Sequence, residues 1–251
     1  ETKGLSYKYQ SWQNFALTVA NLPPVYLIKR GKDGQNSAME SVSRDVFWRH
    51  SRNRILYNGV RYQPCPLNKE PSRDIPGDED DKPYFNIFNG WGLKPNRGEW
   101  SLLRWHLRNA VCGGDEAAYE YLLDWFAHLV QKPTQKPGVA LVLKGGKGWG
   151  KSEVFSRLIN CFGVNALAVT NDRQLTGNFN SHLQNKLMVL VEESFFSGDA
   201  KAEGVLKTTI SDKHTTYEAK RENANKGISY LRVILITNNN WAVPVTDDER
   251  R

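Results

Sequence analysis

Apolar residues recur three or four apart in one stretch of the chain and in short unbroken runs in the next. Trp100, Leu103, Leu107 and Val111 keep helical spacing. Gly113 and Gly114 break that pattern, and Asp115 is placed to cap a second helix. Tyr119, Leu122, Leu123, Phe126 and Val130 then return at the same spacing until Pro133 and Pro137. The pattern predicts a helical hairpin over 100–135, its apolar face packed on the next domain or on a neighbouring subunit. Beyond it, residues 139–143, 165–170, 187–191 and 233–237 are short runs apolar on both faces. Such runs suit parallel strands covered by helices. Residues 152–162 fit the first crossover helix, with Val154, Phe155, Leu158, Ile159 and Phe162 inward. The predicted class is α/β, a parallel sheet flanked by helices, preceded by a mixed or helical N-terminal region.

Residues 1–99 are irregular and aromatic and read as an accessory or linker region. Residues 44–57 fit either a strand or a short helix. Residues 71–83 carry Asp74, Asp78, Glu79, Asp80 and Asp81 among prolines, which predicts an exposed loop or linker. The expected division is therefore 1–99, the hairpin at 100–135, and a core at 136–251. The first residue is Glu1 and the last are Glu249, Arg250 and Arg251, without a closing signal, so the chain reads as a piece of a longer polypeptide.

Composition narrows the class of partner. The chain has 251 residues and a formal charge of +7, a modest basic excess that suits a polyanion. Arg44, Arg49, Arg52 and Arg54 cluster in the N-terminal region, as a solvated face or as a guide for DNA. Cys65, Cys112 and Cys161 form no CxxC pair, which argues against a zinc finger or a disulfide framework. No apolar run approaches the roughly 18 residues of a membrane span, and no signal peptide opens the chain. The expectation is a cytoplasmic protein without a membrane partner. His50, His106, His128 and His182 have no metal-ligand spacing and read as structural.

Gly145, Gly146, Lys147, Gly148, Trp149, Gly150, Lys151 and Ser152 match G-x-x-x-x-G-K-[ST], between an apolar strand and an amphipathic helix. Glycines let the backbone curl so that amide N–H groups cradle phosphate oxygens, and the helix adds its positive end. Lys151 is expected to reach the β- and γ-phosphates of ATP, and the Ser152 hydroxyl to bind Mg²⁺. Trp149 is expected to pack on the protein, with stacking beside the nucleotide as the alternative. The run 187–191 ends in Glu192 and Glu193. A strand of this kind beside the phosphate-loop strand delivers carboxylates to the metal. Glu192 is assigned to Mg²⁺ and Glu193 to the attacking water, with the two roles interchangeable on the sequence. The run 233–237 ends in Asn238, a candidate for holding that water or the γ-phosphate, with Asn239 and Asn240 as fallbacks.

Taken together these motifs resemble the superfamily 3 helicases of viruses and mobile elements. The likeness is nearest to the helicase part of phage primase–helicases and primase–polymerases; poxvirus primase–helicases are more distant. Further pieces carry it: Cys112, Gly113, Gly114 and Asp115 with the helix after them; Gln131 to Pro133; Lys136 to Gly138; Gly177 to Asn180; and Asp248 to Arg251. The resemblance implies an AAA+-like P-loop NTPase core and a ring, usually a hexamer, with ATP between subunits. It places Arg250 or Arg251 at the position of an arginine finger, which would neutralise charge on the transferring phosphoryl group. It also implies an upstream primase or polymerase domain in the same polypeptide, and a hairpin projecting into a central channel. Residues 201–232 hold Lys201, Lys207, Lys213, Lys220, Arg221, Lys226 and Arg232. Residues 223–227 have the turn chemistry of a hairpin tip, and Lys220, Arg221 and Lys226 are the expected phosphate contacts to single-stranded or forked DNA.

Three functions remain open on the sequence. The first is an ATP-driven DNA helicase or translocase domain of a replication protein. The second is an ATP-dependent assembly or initiator module of a primase without unwinding. The third is a small-molecule or polynucleotide kinase, which would need an acceptor site and a lid with catalytic arginines; no clear set stands out, and Arg173 and Arg221 are left as candidates.

Overall fold

The computed structural model describes residues 12–30, 36–52, 54–77, 82–146, 148, 150–170, 173–177, 179–192, 200–221 and 223–238. Two compact units form, Glu1–Arg61 with Arg73–Ile87, and Tyr62–Ser72 with Phe88–Arg251. The first holds α1 (Trp12–Val19), the antiparallel pair β1 (Val25–Arg30) and β2 (Asn36–Val42), and α2 (Arg44–His50). It adds a small sheet of β3 (Val60–Arg61), β4 (Asp74–Ile75) and β5 (Tyr84–Asn86), ordered β3-β5-β4. The open reading of residues 44–57 resolves as helix for its first half. The acidic segment is more than a loop, because β4 pairs antiparallel with β5 and buries Ile75. Tyr57 Oη donates to Asp74 Oδ1 at 2.7 Å, and the Arg61 guanidinium lies over the Tyr84 ring at 3.6 Å.

The second unit begins with α3 (Ser101–His106), which widens into a π-helical stretch (Leu107–Val111) before α4 (Glu116–Gln131). The expected regular helix over 100–111 is thus corrected. Leu107 is buried, with Leu103 and Val111 packed on the same core, while Trp100, at the cap before α3, is exposed. Asp115 caps α4 as expected, its Oδ1 accepting from Ala118 N at 3.1 Å, an interaction worth about 1 kcal/mol.

Next come β6 (Leu141–Lys144), α5 (Lys151–Cys161), β7 (Ala166–Val169), the short α6 (Arg173–Thr176), β8 (Met188–Glu192) and α7 (Ala200–Ser211). A hairpin of β9 (His214–Tyr217) and β10 (Asn225–Ile228) leads into β11 (Arg232–Thr237). Four strands make one parallel sheet in the order β6-β11-β8-β7. Successive residues on a strand face opposite sides, and the two central strands obey this closely. Met188, Leu190, Ile234 and Ile236 join a core with Phe88, Trp125, Leu129, Phe155 and Ile159. Val189, Val191, Val233 and Leu235 join another with Leu175, Leu206 and Tyr217. That is why these runs are apolar throughout. At the edge the expectation fails: Val142 of β6 is 44% exposed, because an edge strand has a neighbour on only one side.

Arg232 corrects a second expectation. Counted among the basic residues of a DNA-facing stretch, it is instead 1% exposed. Its guanidinium donates to Pro133 O, Tyr230 O, Lys132 O and Gln135 O, and meets His128 Nδ1 at 3.3 Å. Three of these carbonyls lie in the segment that follows α4, so the guanidinium ties that segment to the start of β11. Burial pulls the Arg232 pKa down to about 10, and burial together with the neighbouring Arg232 charge lowers that of His128. Among the described residues no helix is long and apolar enough to cross a membrane.

Candidate functional site

In a parallel sheet all carboxyl ends point the same way, so the loops after β6, β8 and β11 collect at one edge. Register sharpens this: Thr237 lies beside Lys144, and Ile236 beside both Leu143 and Glu192. Two strand spacings, about 10 Å, therefore separate the Glu192 backbone from the end of β6. The expectation that the acidic strand adjoins the phosphate-loop strand is corrected, because β11 lies between them. Its last residue, Thr237, stands beside Lys144 at the end of β6, and Asn238 follows it in the chain. Gly145 N donates to Thr237 O at 3.3 Å, fastening the loop's first residue to the middle strand.

The loop after Lys144 turns sharply into α5. Gly148 and Gly150 have φ of +83° and +74°, in the left-handed region open to glycine. A Cβ at Gly150 would also meet the His106 ring at 3.1 Å, so crowding and conformation both require glycine there. Lys151, the first residue of α5, is buried, and its Nζ donates to Gly145 O at 2.8 Å and Gly146 O at 2.7 Å. Those two bonds hold the ammonium against the first two residues after β6. Ser152 is exposed on the first turn of α5.

One turn further on, Ser156 Oγ donates to Glu192 Oε1 at 3.1 Å. Ser152 and Ser156 share a helix face, about 5–6 Å apart at Cβ. Ser156 thus sets the carboxylate of β8 against the same face that carries Ser152. No role was expected of Ser156 on the sequence, although a serine four residues after Ser152 is a visible signal.

Glu193, Arg250 and Arg251, Lys147 and Trp149, and the fallbacks Asn239 and Asn240 lie outside the described residues. Beyond α7 in the chain, the expected hairpin exists with its tip displaced. Residues 218–224 connect the strands, while Asn225 to Gly227 are already paired in β10. Lys220 Nζ stands 5.8 Å from the centroid of the exposed Phe179 ring. Arg221 takes a φ of +66° in the turn, and Lys226 is exposed on β10 opposite Thr216. Asn180 ties this hairpin down: its Oδ1 accepts from Glu218 N at 2.8 Å and its Nδ2 donates to Thr216 O at 3.1 Å. Phe179 offers a flat face for stacking, and its place inside the Gly177 to Asn180 motif is the signal that the sequence carries for it. Among the described residues no group of three or more His, Cys, Asp or Glu side chains forms a metal cluster.

Residues 143–251, which begin in β6 and include the whole loop, match the model of a family of unknown function (DUF5906). The chain is similar to a phage primase–polymerase. The DNA primase-polymerase of Nitratiruptor phage NrS-1 is 26% identical over 190 residues, covering 72% of this chain and 26% of that protein. The fold is that of its C-terminal region. One apo structure of that region superposes with a TM-score of 0.65 at 21% identity, over 86% of this chain and 54% of the other. A second, described as the A form, gives 0.62 at 20% identity, over 96% and 59%. The chain therefore spans about a quarter of the primase–polymerase and just over half of its solved C-terminal region. The mixed α/β fold with a four-stranded parallel sheet is common ground with this relative.

Proposed function

We propose that this chain is an ATP-hydrolysing motor domain of a phage-type DNA-replication protein, driving movement on single-stranded DNA. The single observation that carries the reading is the Ser156–Glu192 hydrogen bond. It joins the helix opened by Lys151 and Ser152 to the acid-tipped strand, so loop and carboxylate meet at one sheet edge. The interposed strand supports it further, because Asn238 follows β11, which lies between β6 and β8.

In this reading the core is a P-loop NTPase and 145–152 hold the triphosphate. Lys151 exchanges its two loop carbonyls for β- and γ-phosphate oxygens, a charge-assisted pairing stronger than the neutral one it replaces. Mg²⁺ prefers oxygen ligands, and the exposed Ser152 hydroxyl with the half-buried Glu192 carboxylate is a donor set that fits it. The ion would neutralise charge on the phosphates. Glu193 takes a proton from water as that water attacks the γ-phosphorus; the bond to the β–γ bridging oxygen breaks, and ADP and phosphate leave. Asn238 orients the water. Arg250 or Arg251 of a neighbouring copy in a ring, hexameric by resemblance, offsets the charge that develops. Lys220, Arg221 and Lys226 follow backbone phosphates, with Phe179 as a stacking face beside them. Residues 1–99, 100–135 and 136–251 would act as accessory region, collar and motor, downstream of a primase or polymerase domain.

The test is steady-state ATP hydrolysis by the full chain with and without single-stranded DNA. Lys151→Ala and Glu193→Gln are each expected to lower turnover at least a hundredfold. Normal turnover in both removes the mechanism. A second reading is an ATP-dependent assembly module of a primase. Ring formation with ATP but no strand displacement on a forked duplex selects it.

A further inference from the structure

We infer that the cleft walled by Trp105, His106, Asn109, Gly148 and Gly150 seats the adenine base of the triphosphate. This rests on the phosphate-loop reading above and adds to it the part of the nucleotide that the motif does not address.

The cleft has a volume of about 650 Å³ and opens on the backbone of the loop itself, within the usual range for small-molecule sites. A triphosphate cradled by 145–152 must send its nucleoside out along the loop. A wall shared with Gly148 and Gly150 is where the base arrives. The facing wall carries two kinds of group suited to a base. Trp105 is 63% exposed, offering a flat indole face on which a purine stacks. The His106 ring packs against Gly150 and closes the cleft on the loop side. Asn109 Nδ2 donates to Trp105 O at 2.9 Å, which leaves Oδ1 as an acceptor for the exocyclic amine of adenine and a poor match for the carbonyl of guanine. The π-helical stretch Leu107–Val111 begins right after His106 and carries Asn109 and Ala110 to the cleft. Such widenings of a helix often occur at functional sites.

Calorimetric titration of the full chain with ATP, GTP and inorganic tripolyphosphate separates base from phosphate recognition. Trp105→Ala is expected to weaken ATP about tenfold or more, with tripolyphosphate unchanged and Trp105→Phe within about threefold of the parent. Asn109→Leu should abolish a preference for ATP over GTP. Lys151→Ala should weaken ATP and tripolyphosphate alike. Unchanged ATP affinity in Trp105→Ala, with the Lys151→Ala loss intact, overturns the base site and leaves the phosphate loop standing. Equal affinity of the parent for ATP and GTP overturns the assignment to adenine. Normal ATP binding in Trp105→Ala with altered self-association makes Trp105 a protein-docking residue and overturns the inference. A parent chain that binds neither ATP nor tripolyphosphate overturns the phosphate-loop reading as well. Trp105 is exposed, so thermal melts of both Trp105 variants should match the parent.

Discussion

Ser156 and Glu192 lie 36 positions apart, yet the serine hydroxyl donates to the carboxylate at 3.1 Å. The bond crosses from α5 to the end of β8 and uses one oxygen of the acid. A carboxylate at a strand end rotates freely about its side-chain torsions. The hydroxyl narrows that freedom, and such preorganisation would serve the proposed site.

Removing the hydroxyl tests that relationship. Ser156→Ala is expected to lower ATP turnover roughly fivefold, the effect of about 1 kcal/mol, while nucleotide affinity stays close to the parent value. A turnover equal to the parent's, measured under saturating ATP, would show that Glu192 needs no positioning.

Arg232 links the sheet to the segment after α4 through carbonyls of Lys132, Pro133 and Gln135. Arg232→Met should destabilise the second unit by about 3 kcal/mol, because those buried acceptors lose their donor. Arg232→Lys should fall between, since an ammonium lacks the planar fork. Urea unfolding followed by circular dichroism reads the difference; coincident curves would mean that water replaces the guanidinium.

Lys136 gives a pH signature. Its Nζ donates to Asp212 O at 2.8 Å and to Thr209 O, and burial pulls its pKa from 10.5 to about 8. The unfolded chain then binds the proton more tightly than the folded one between pH 8 and 10.5, so stability should rise with pH across that window. Burial also lowers the Lys186 pKa, which adds to the rise, while it raises those of Cys65, Cys112 and Tyr217, which oppose it at the alkaline end. Melting temperatures from pH 8 to 10 should therefore rise less, or fall more, in Lys136→Met than in the parent. A parent profile matching the variant's would place the ammonium in water.

His128 acts at the other end of the scale. Burial and the Arg232 charge hold its pKa below 6.5, so an unfolded chain takes up the proton first and stability is lost as pH falls through that value. His128→Gln should shrink the difference in melting temperature between pH 7 and pH 5. An unchanged difference would assign the acid loss to carboxylates elsewhere.

The hairpin charges predict a salt effect. Lys220→Glu combined with Lys226→Glu should weaken single-stranded DNA binding. It should also flatten the dependence of affinity on salt by about 0.7 in log–log slope for each phosphate that is no longer neutralised. The loss should be alike for pyrimidine and mixed sequences. A steep slope that survives both substitutions would move the DNA path away from β9 and β10.

Much of this protein was legible along the chain, and the residues explain where legibility ended. Runs such as Leu187 to Val191 announce a strand buried on both faces, because each alternate residue enters a different apolar core. Asp115 announces its helix because a carboxylate before an apolar periodic segment satisfies a free amide locally. Glycines at 148 and 150 announce a turn that other residues resist. All of these are interactions between near neighbours, so spacing alone encodes them. What only the tertiary structure decided depends on strands far apart in sequence. The order β6-β11-β8-β7 sets Thr237 rather than Glu192 beside Lys144. The same packing draws Arg232 out of a basic run to tie down the segment after α4, and brings Ser156 to Glu192 and His106 to Gly150. No local pattern carries those pairings, because their energy comes from burying both faces of one sheet at once, and that condition exists only when the whole unit has closed around it.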